Sequence, residues 1–401
     1  MEFLDEIVNP ELWEQYYAYC AERDHITKPE LRVLRNNIDQ RTYLAPLAQW
    51  NEHGTFPYAE RKVISKMGTD RKRIVYTYQG GNSLLLKMIA YHLHEYDDIF
   101  APNLFSFRVN SGVRKAMAYL RYRPRLSEKY VYKVDIHDYF NSVDPARIVP
   151  MVREALREEP KLCGLIEAML TNPYVLDGGE PVEERKGIMA GVPVSSFLAN
   201  LYLSALDWHM YNEDVLYARY ADDIIVFADS AEELAEHKKY ILDTLADLGL
   251  TINPKKEFES RPGEPWTFLG VTYCKGTVDV SEASAEKLKG KMRRKARRFR
   301  RMVTGGRRIS TETAISRYIR VFNAKFYDNQ NDNELTWARW FFPIITTSGT
   351  LEKLDRYMVE CIRYIRTGKH TKANYRLRYD EIKSLGFRSL VHEYYLGRRE
   401  E

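Results

Sequence analysis

Apolar positions along the chain alternate between a helical period and a strand period, and the switches outline its elements. Residues 1–55 read as helical, with helix starts at Pro10-Glu11-Leu12-Trp13 and Lys28-Pro29-Glu30-Leu31, each with proline near the first turn. Arg61 to Lys66 and Arg71 to Tyr76, joined by Met67-Gly68-Thr69-Asp70, predict a basic β-hairpin. A helix follows from about Ser83 to Glu95. Tyr130-Val131-Tyr132-Lys133-Val134-Asp135-Ile136 predicts a buried strand that ends in an acid. Helices are expected over 145–170 and, after a Gly/Pro turn, from Val192 to about His209. Val215 to Tyr220 and Ile224 to Ala228 then predict a hairpin whose tip carries Asp222 and Asp223. A helix near 231–248, the turn Asn253-Pro254-Lys255-Lys256 and a short strand pair at 266–280 come next. From Ser281 the pattern is helical to the end, with a loop near 328–331. Strands and helices mixed without a regular βαβ alternation argue an α+β fold.

Composition narrows the class. The chain has 401 residues, 44% hydrophobic and 29% charged, which suits two or three globular domains. No apolar run reaches the roughly eighteen residues of a membrane span, and the acidic N-terminus lacks a signal-peptide core. Cys20, Cys163, Cys274 and Cys361 are scattered, so neither a zinc site nor a disulfide framework is expected, and a cytoplasmic location is. Charge is uneven: ten of the fifteen residues from Lys287 to Arg301 are Lys or Arg, with no acid among them. A solvated helix face is the ordinary reading of such a run. Like charges on one helix repel, however, and a phosphate backbone would neutralise them with release of counterions.

Asp222 and Asp223 are the sharpest chemical signal. Adjacent carboxylates repel, so a hairpin tip carrying both beside apolar strands calls for a cation. Oxygen donors of this kind suit Mg²⁺, which also binds substrate phosphates. Asp135 at its strand end is the candidate third carboxylate, with Asp138 and Asp144 as alternatives beyond the strand. Taken alone, Asp135 reads as an ordinary strand-end acid capping the next turn. Gly191, in a Gly-rich turn leading to a helix, permits close backbone approach, as by a base pair, and Ser195, Ser196 and Ala199 are small.

In order, Asp135, the Gly191-Val192-Pro193-Val194-Ser195 turn with Leu198-Ala199-Asn200-Leu201-Tyr202, and Tyr220-Ala221-Asp222-Asp223 resemble motifs A, B and C of reverse transcriptases. Leu248 to Lys256 resembles motif D, Phe268-Leu269-Gly270-Val271 motif E, and Lys66 to Ile74 and Phe105 to Ala116 the two fingers motifs. The resemblance covers about residues 55–275. It implies a right-hand polymerase with fingers, a ferredoxin-like palm and a helical thumb. The expected domains are an N-terminal helical extension (1–55), fingers (56–134, with further elements at about 145–190), palm (135–280) and basic thumb (281–401). It further implies that Asp135, Asp222 and Asp223, with the Ile136 carbonyl, hold two Mg²⁺ ions. Lys66, Arg71, Arg73 and Arg108 would contact the dNTP triphosphate, Gly191 would line the pocket, and Lys255 or Lys256 would approach the pyrophosphate. Phe140 falls at the aromatic steric gate, which implies dNTPs as substrates. Lys291, Arg294, Arg297, Arg298 and Arg301 would bind nucleic acid.

Ala190 stands where many relatives carry Gln, and with Met189 and Gly191 it looks more like the defence-associated and abortive-infection reverse transcriptases, relatives of retron and group II intron enzymes. The expectation is an RNA-directed DNA polymerase of antiphage defence, copying an associated non-coding RNA into cDNA. That RNA would serve as template, scaffold or both; a second copy of the chain or a partner defence protein stays open, and no membrane partner is expected. The competing readings are a retron or group II intron-like enzyme, an RNA-dependent RNA polymerase, and a non-catalytic RNA-binding scaffold.

Overall fold

The computed structural model describes residues 2–22, 26–65, 72–305, 309–327, 336–369 and 376–400. They form two compact units, Met1–Pro262 and Gly263–Glu401. Both mix helix and sheet, as the patterning predicts.

The first unit begins with helices Phe3–Glu6, Pro10–Ala21, Lys28–Asp39 and Leu44–His53. Local chemistry sets their starts. Asn9 accepts from the Glu11 amide at 3.0 Å with Pro10 in the first turn, and Thr27 and Glu30 form a reciprocal capping box. Strands β1 (Glu60–Ser65) and β2 (Lys72–Thr77) then pair antiparallel, with Glu60 opposite Thr77. The hairpin tip expected at 67–70 lies outside the described residues. β3 is Tyr130–Asp135, and the hairpin of β4 (Tyr174–Asp177) and β5 (Glu180–Glu183) extends the first sheet to the order β2-β1-β4-β5.

The second sheet carries the acids. β6 (Tyr217–Tyr220), β7 (Asp223–Ala228) and β8 (Phe258–Ser260) join β3 in the order β6-β7-β3-β8, with β3 antiparallel to both neighbours. β-Branched Val131, Val134, Ile224, Ile225 and Val226 are essentially inaccessible. Such side chains fit a pleated surface, and each fully buried one stabilises the fold by about 1.5–3 kcal/mol. The Ala231–Asp247 helix packs on β7 and β3, started by Ser230, which accepts from the Glu233 amide. Helix 145–170 is in fact two, Pro145–Ala155 and Pro160–Thr171, because proline restarts the chain at residue 160. Likewise, the stretch from Val192 contains Ser195–Tyr202 and Ser204–Asn212.

In the second unit, β9 (Trp266–Phe268), β10 (Val271–Cys274) and β11 (Thr277–Val280) form a three-stranded meander rather than a strand pair. The Glu282–Thr304 helix follows. Its buried stripe, Ala285, Leu288, Met292, Ala296 and Phe299, has helical spacing and packs on helices Thr311–Phe326 and Gly349–Thr367. Arg300 donates to the carbonyls of Ile365 (3.2 Å) and Arg366 (2.9 Å), satisfying the end of the Gly349–Thr367 helix. No helix among the described residues is long and apolar enough to cross a membrane.

Candidate active site

Strand register brings the acids to one end of the second sheet. Asp135 closes β3 and Asp223 opens β7, and the two are direct cross-strand partners. Asp222 belongs to the Ala221-Asp222 turn that joins β6 to β7, since Tyr220 pairs with Asp223. The Ile136 amide donates to the Asp222 carbonyl at 3.0 Å, tying the turn to the chain just beyond β3. Burial, first, and then the nearby charges of Asp135 and Asp223 push the Asp222 carboxyl up to about 6. Asp138 and Asp144 serve local structure instead: Asp138 accepts from the Asn141 side chain, and Asp144 caps the Pro145–Ala155 helix.

Two lysines balance this charge. Lys256 donates to Asp135 Oδ2, while Asn253 donates its amide to the Asp135 carbonyl (2.8 Å) and its side chain to Oδ1 (3.3 Å). Lys133, on β3, lies 3.4 Å from Asp223 Oδ1. Burial alone would lower the Lys256 ammonium, but its bond to Asp135 and the field of Asp223 and Asp222 raise it overall. Lys255 is exposed, with its amide on the Asn253 side chain, so Lys256 is the lysine that the turn delivers to the acids. Lys133 escaped the sequence reading, although its alternation with Tyr132 and Val134 places it near a strand-end acid.

The other expected pocket residues are placed as follows. Phe140 is half-buried, meets Phe107 edge-on at 6.2 Å between ring centroids, and accepts at its carbonyl from the Ile188 amide at 2.8 Å. Gly187 lies against it so tightly that a Cβ there would come within 2.3 Å of the Phe140 carbonyl oxygen. Gly191 has φ 101°, and the neighbour it admits is β2: Tyr76 donates to the Ala190 carbonyl at 2.8 Å, and a Gly191 Cβ would lie 3.0 Å from the Tyr76 oxygen. Arg108 donates to the carbonyls of Asp97 (3.0 Å), Ala101 (2.9 Å) and Leu104 (3.3 Å), and borders a cavity of about 240 Å³ with Phe107 and Ser196. Its guanidinium therefore builds the loop. Arg73 is exposed on β2, and Lys66 and Arg71 lie outside the described residues. In the second unit, Arg294, Arg297, Arg298 and Arg301 are exposed on the Glu282–Thr304 helix away from its buried stripe, and Lys291 is half-buried.

The sequence profile of the family described as reverse transcriptase (RNA-dependent DNA polymerase) matches residues 64–273, just over half of the chain and the span that holds all three acids. The chain belongs to the reverse transcriptase family. A curated relative, the retron Ec86 reverse transcriptase of Escherichia coli, is 22% identical over 173 residues, which is 42% of this chain. The chain spans about half the length of that relative. Among solved structures it is similar to apo telomerase from Candida tropicalis, at 13% identity and a TM-score of 0.45, over 87% of this chain and 73% of that one. A form of that telomerase truncated from the C-terminal domain matches at the same identity and TM-score over 61% of this chain and 60% of that one.

Among the described residues, no three His, Cys, Asp or Glu side chains converge as a ready-made metal-binding group. The lysine bonds to Asp135 and Asp223 supply a physical reason, because each draws a carboxylate toward an ammonium. The donor chemistry fits a hard divalent cation nonetheless. Three carboxylates share one sheet end, and positive charge brought there would relieve the burial and the like charges that raise the Asp222 carboxyl.

Proposed function

We propose that this reverse transcriptase is an RNA-directed DNA polymerase that extends a primer with dNTPs along an associated non-coding RNA in antiphage defence. The observation that carries the chemistry is the clustering of Asp135, Asp222 and Asp223 at one end of the β6-β7-β3-β8 sheet, inside the family-matching span. The retron relative and the Met189-Ala190-Gly191 stretch support the RNA and defence parts of the reading. In this reading that sheet is a ferredoxin-like palm, the β2-β1-β4-β5 sheet belongs to the fingers, and the Glu282–Thr304 helix opens the thumb.

Asp135, Asp222 and Asp223, with the Ile136 carbonyl, are the residues that would hold two Mg²⁺ ions, whose chemistry is to activate the primer 3′-hydroxyl and stabilise the leaving pyrophosphate. Phe140, backed by Phe107 and fixed at its carbonyl by Ile188, would exclude a ribose 2′-hydroxyl. Lys256, which donates to Asp135, would pass to a phosphate oxygen, and Arg73, with Lys66 and Arg71, would attract the triphosphate. Arginines on the outer face of the Glu282–Thr304 helix would track the nucleic-acid backbone.

The test is primer extension by the purified protein on the RNA that copurifies with it, with Mg²⁺ and dNTPs. Labelled cDNA whose sequence complements that RNA is the expected product. RNA binding with no dNTP incorporation would instead favour the scaffold reading.

A further inference from the structure

The strand leading into the acid turn carries a charge where its neighbours are apolar. Arg219, between Ala218 and Tyr220 on β6, is fully buried, as is Asp207 on the Ser204–Asn212 helix. Arg219 Nη2 lies 2.6 Å from Asp207 Oδ2, and Nε lies 2.8 Å from Oδ1. The Tyr217 hydroxyl donates to Asp207 Oδ1 at 2.9 Å. Two further donors of the guanidinium reach main chain: Nη2 to the Asn200 carbonyl at 3.1 Å, and Nη1 to the Ala221 carbonyl at 3.2 Å.

The same turn residue is held from its other side. The Ala221 amide donates to Ser106 Oγ at 2.8 Å, and Ser106 is itself fully buried. Asn200 fixes Ser106 reciprocally, accepting from its hydroxyl at 3.2 Å and donating to its carbonyl at 2.9 Å. Both polar groups that flank the Ala221 Cα are therefore bound by side chains shut away from water. Ala221 has φ 55°, the left-handed region that a residue with a Cβ rarely enters. Such a conformation persists where its surroundings over-determine it. The next residue along the chain is Asp222.

A purely stabilising role is the simpler account. A buried ion pair is a poor source of stability, because desolvation offsets its attraction and apolar replacements are often as stable. Here the bonds from Ser106 and Arg219 converge on one strained residue beside the acids.

We propose that Ser106, Asn200, Asp207 and Arg219 are positioning residues for the acid turn: they clamp Ala221 at its amide and its carbonyl, and so hold the Asp222 carboxylate beside Asp135 and Asp223. The proposal rests on the reading that these acids bind divalent ions. It gives the Phe105-Ser106-Phe107-Arg108 segment the task of bracing the metal-binding turn, through Ser106.

The test is Mn²⁺ binding to the full chain, followed by electron paramagnetic resonance, for the parent, Asp222→Asn and Ser106→Ala. Single-nucleotide incorporation kinetics and thermal unfolding accompany each titration. Ser106→Ala is expected to fold, to bind Mn²⁺ about tenfold more weakly, and to lose a similar factor in kcat while KM for the dNTP changes less than about twofold. A Ser106→Ala protein with a lowered Tm but parental Mn²⁺ affinity and kcat would overturn the clamp and leave a structural role. If Ser106→Ala does not fold, Tyr217→Phe, which removes one bond to Asp207 without changing shape, is judged by the same criterion. Should the parent bind no Mn²⁺ that Asp222→Asn abolishes, the acid-site reading itself fails, an outcome distinct from failure of the clamp alone.

Discussion

The acid turn and the Glu282–Thr304 helix both concentrate charge, and they manage it in opposite ways. At the turn, the charges that flank Asp222 have specific neighbours: Asp135 has Lys256 and Asn253, Asp223 has Lys133, and Arg219 has Asp207. On the helix, Arg294, Arg297, Arg298 and Arg301 are exposed along one face, above an apolar stripe that anchors the helix. Buried charges with fixed partners are individually sensitive, because removing one strands another. Exposed charges act through their summed field, so each is replaceable and all are screened by salt. The first arrangement suits chemistry at a point, and the second suits attraction along a polyanion.

The strongest way to break the contrast is Asp135→Asn. It should lower kcat for nucleotide addition by on the order of a thousandfold or more while RNA affinity, measured by filter binding, stays within about twofold. Next comes Gly187→Ala, whose Cβ would come within 2.3 Å of the Phe140 carbonyl oxygen at a backbone with φ 55°. Phe140 must shift, so KM for dNTPs should rise about tenfold and the protein should lose about 1–3 kcal/mol, read from single-nucleotide kinetics and denaturant unfolding. Phe140→Ala should remove the proposed gate without that strain. Ribonucleotide incorporation should then rise by about tenfold or more relative to dNTPs, a change that Arg298→Ala should not produce.

A smaller effect concerns stability. The Asp222 carboxyl is raised to about 6 by burial and by Asp135 and Asp223, so the folded chain binds its proton more tightly than the unfolded chain does. That contribution is fully present below about pH 4 and is lost as pH rises through about 6. In chelator at pH 7.5, Asp222→Asn should therefore exceed the parent by about 1–2 kcal/mol after allowance for solvent screening. The gain should show as a Tm higher by a few degrees and should vanish near pH 4. Smallest of all, Arg298→Ala should weaken RNA binding only about two- to threefold, and should reduce the slope of log affinity against log salt by about one.

Much of the acid site was legible because its signals are local. Asp135 ends a strand-like run that holds Val131 and Val134, and Asp222-Asp223 interrupts two apolar strands, so periodicity located both and the order of the motifs gave Asp135 its expected role. The neighbours across the fold were not legible. Gly191 announces a close backbone approach, but not that one of the neighbours it admits is the backbone of β2. Arg108 looked like a phosphate ligand, and nothing in its spacing announced the three carbonyls that it bonds. β5 escaped because Glu180-Pro181-Val182-Glu183 is an exposed edge with no apolar face and a proline. Arg219 did carry a signal. An arginine between apolar strand residues must find a buried acid, but which acid depends on how helix Ser204–Asn212 packs, and that is a property of the tertiary fold.

The most direct test is extension of a DNA primer on an RNA template by the parent chain and by Asp222→Asn with Asp223→Asn, with template binding measured in the same samples. The parent should yield a full-length DNA complement that requires Mg²⁺ and dNTPs, and the doubly substituted chain should bind the RNA equally and yield none. Equal cDNA from both proteins, or none from a parent that binds the primed RNA, would contradict the assignment of nucleotide transfer to the acids of β3 and the β6–β7 turn.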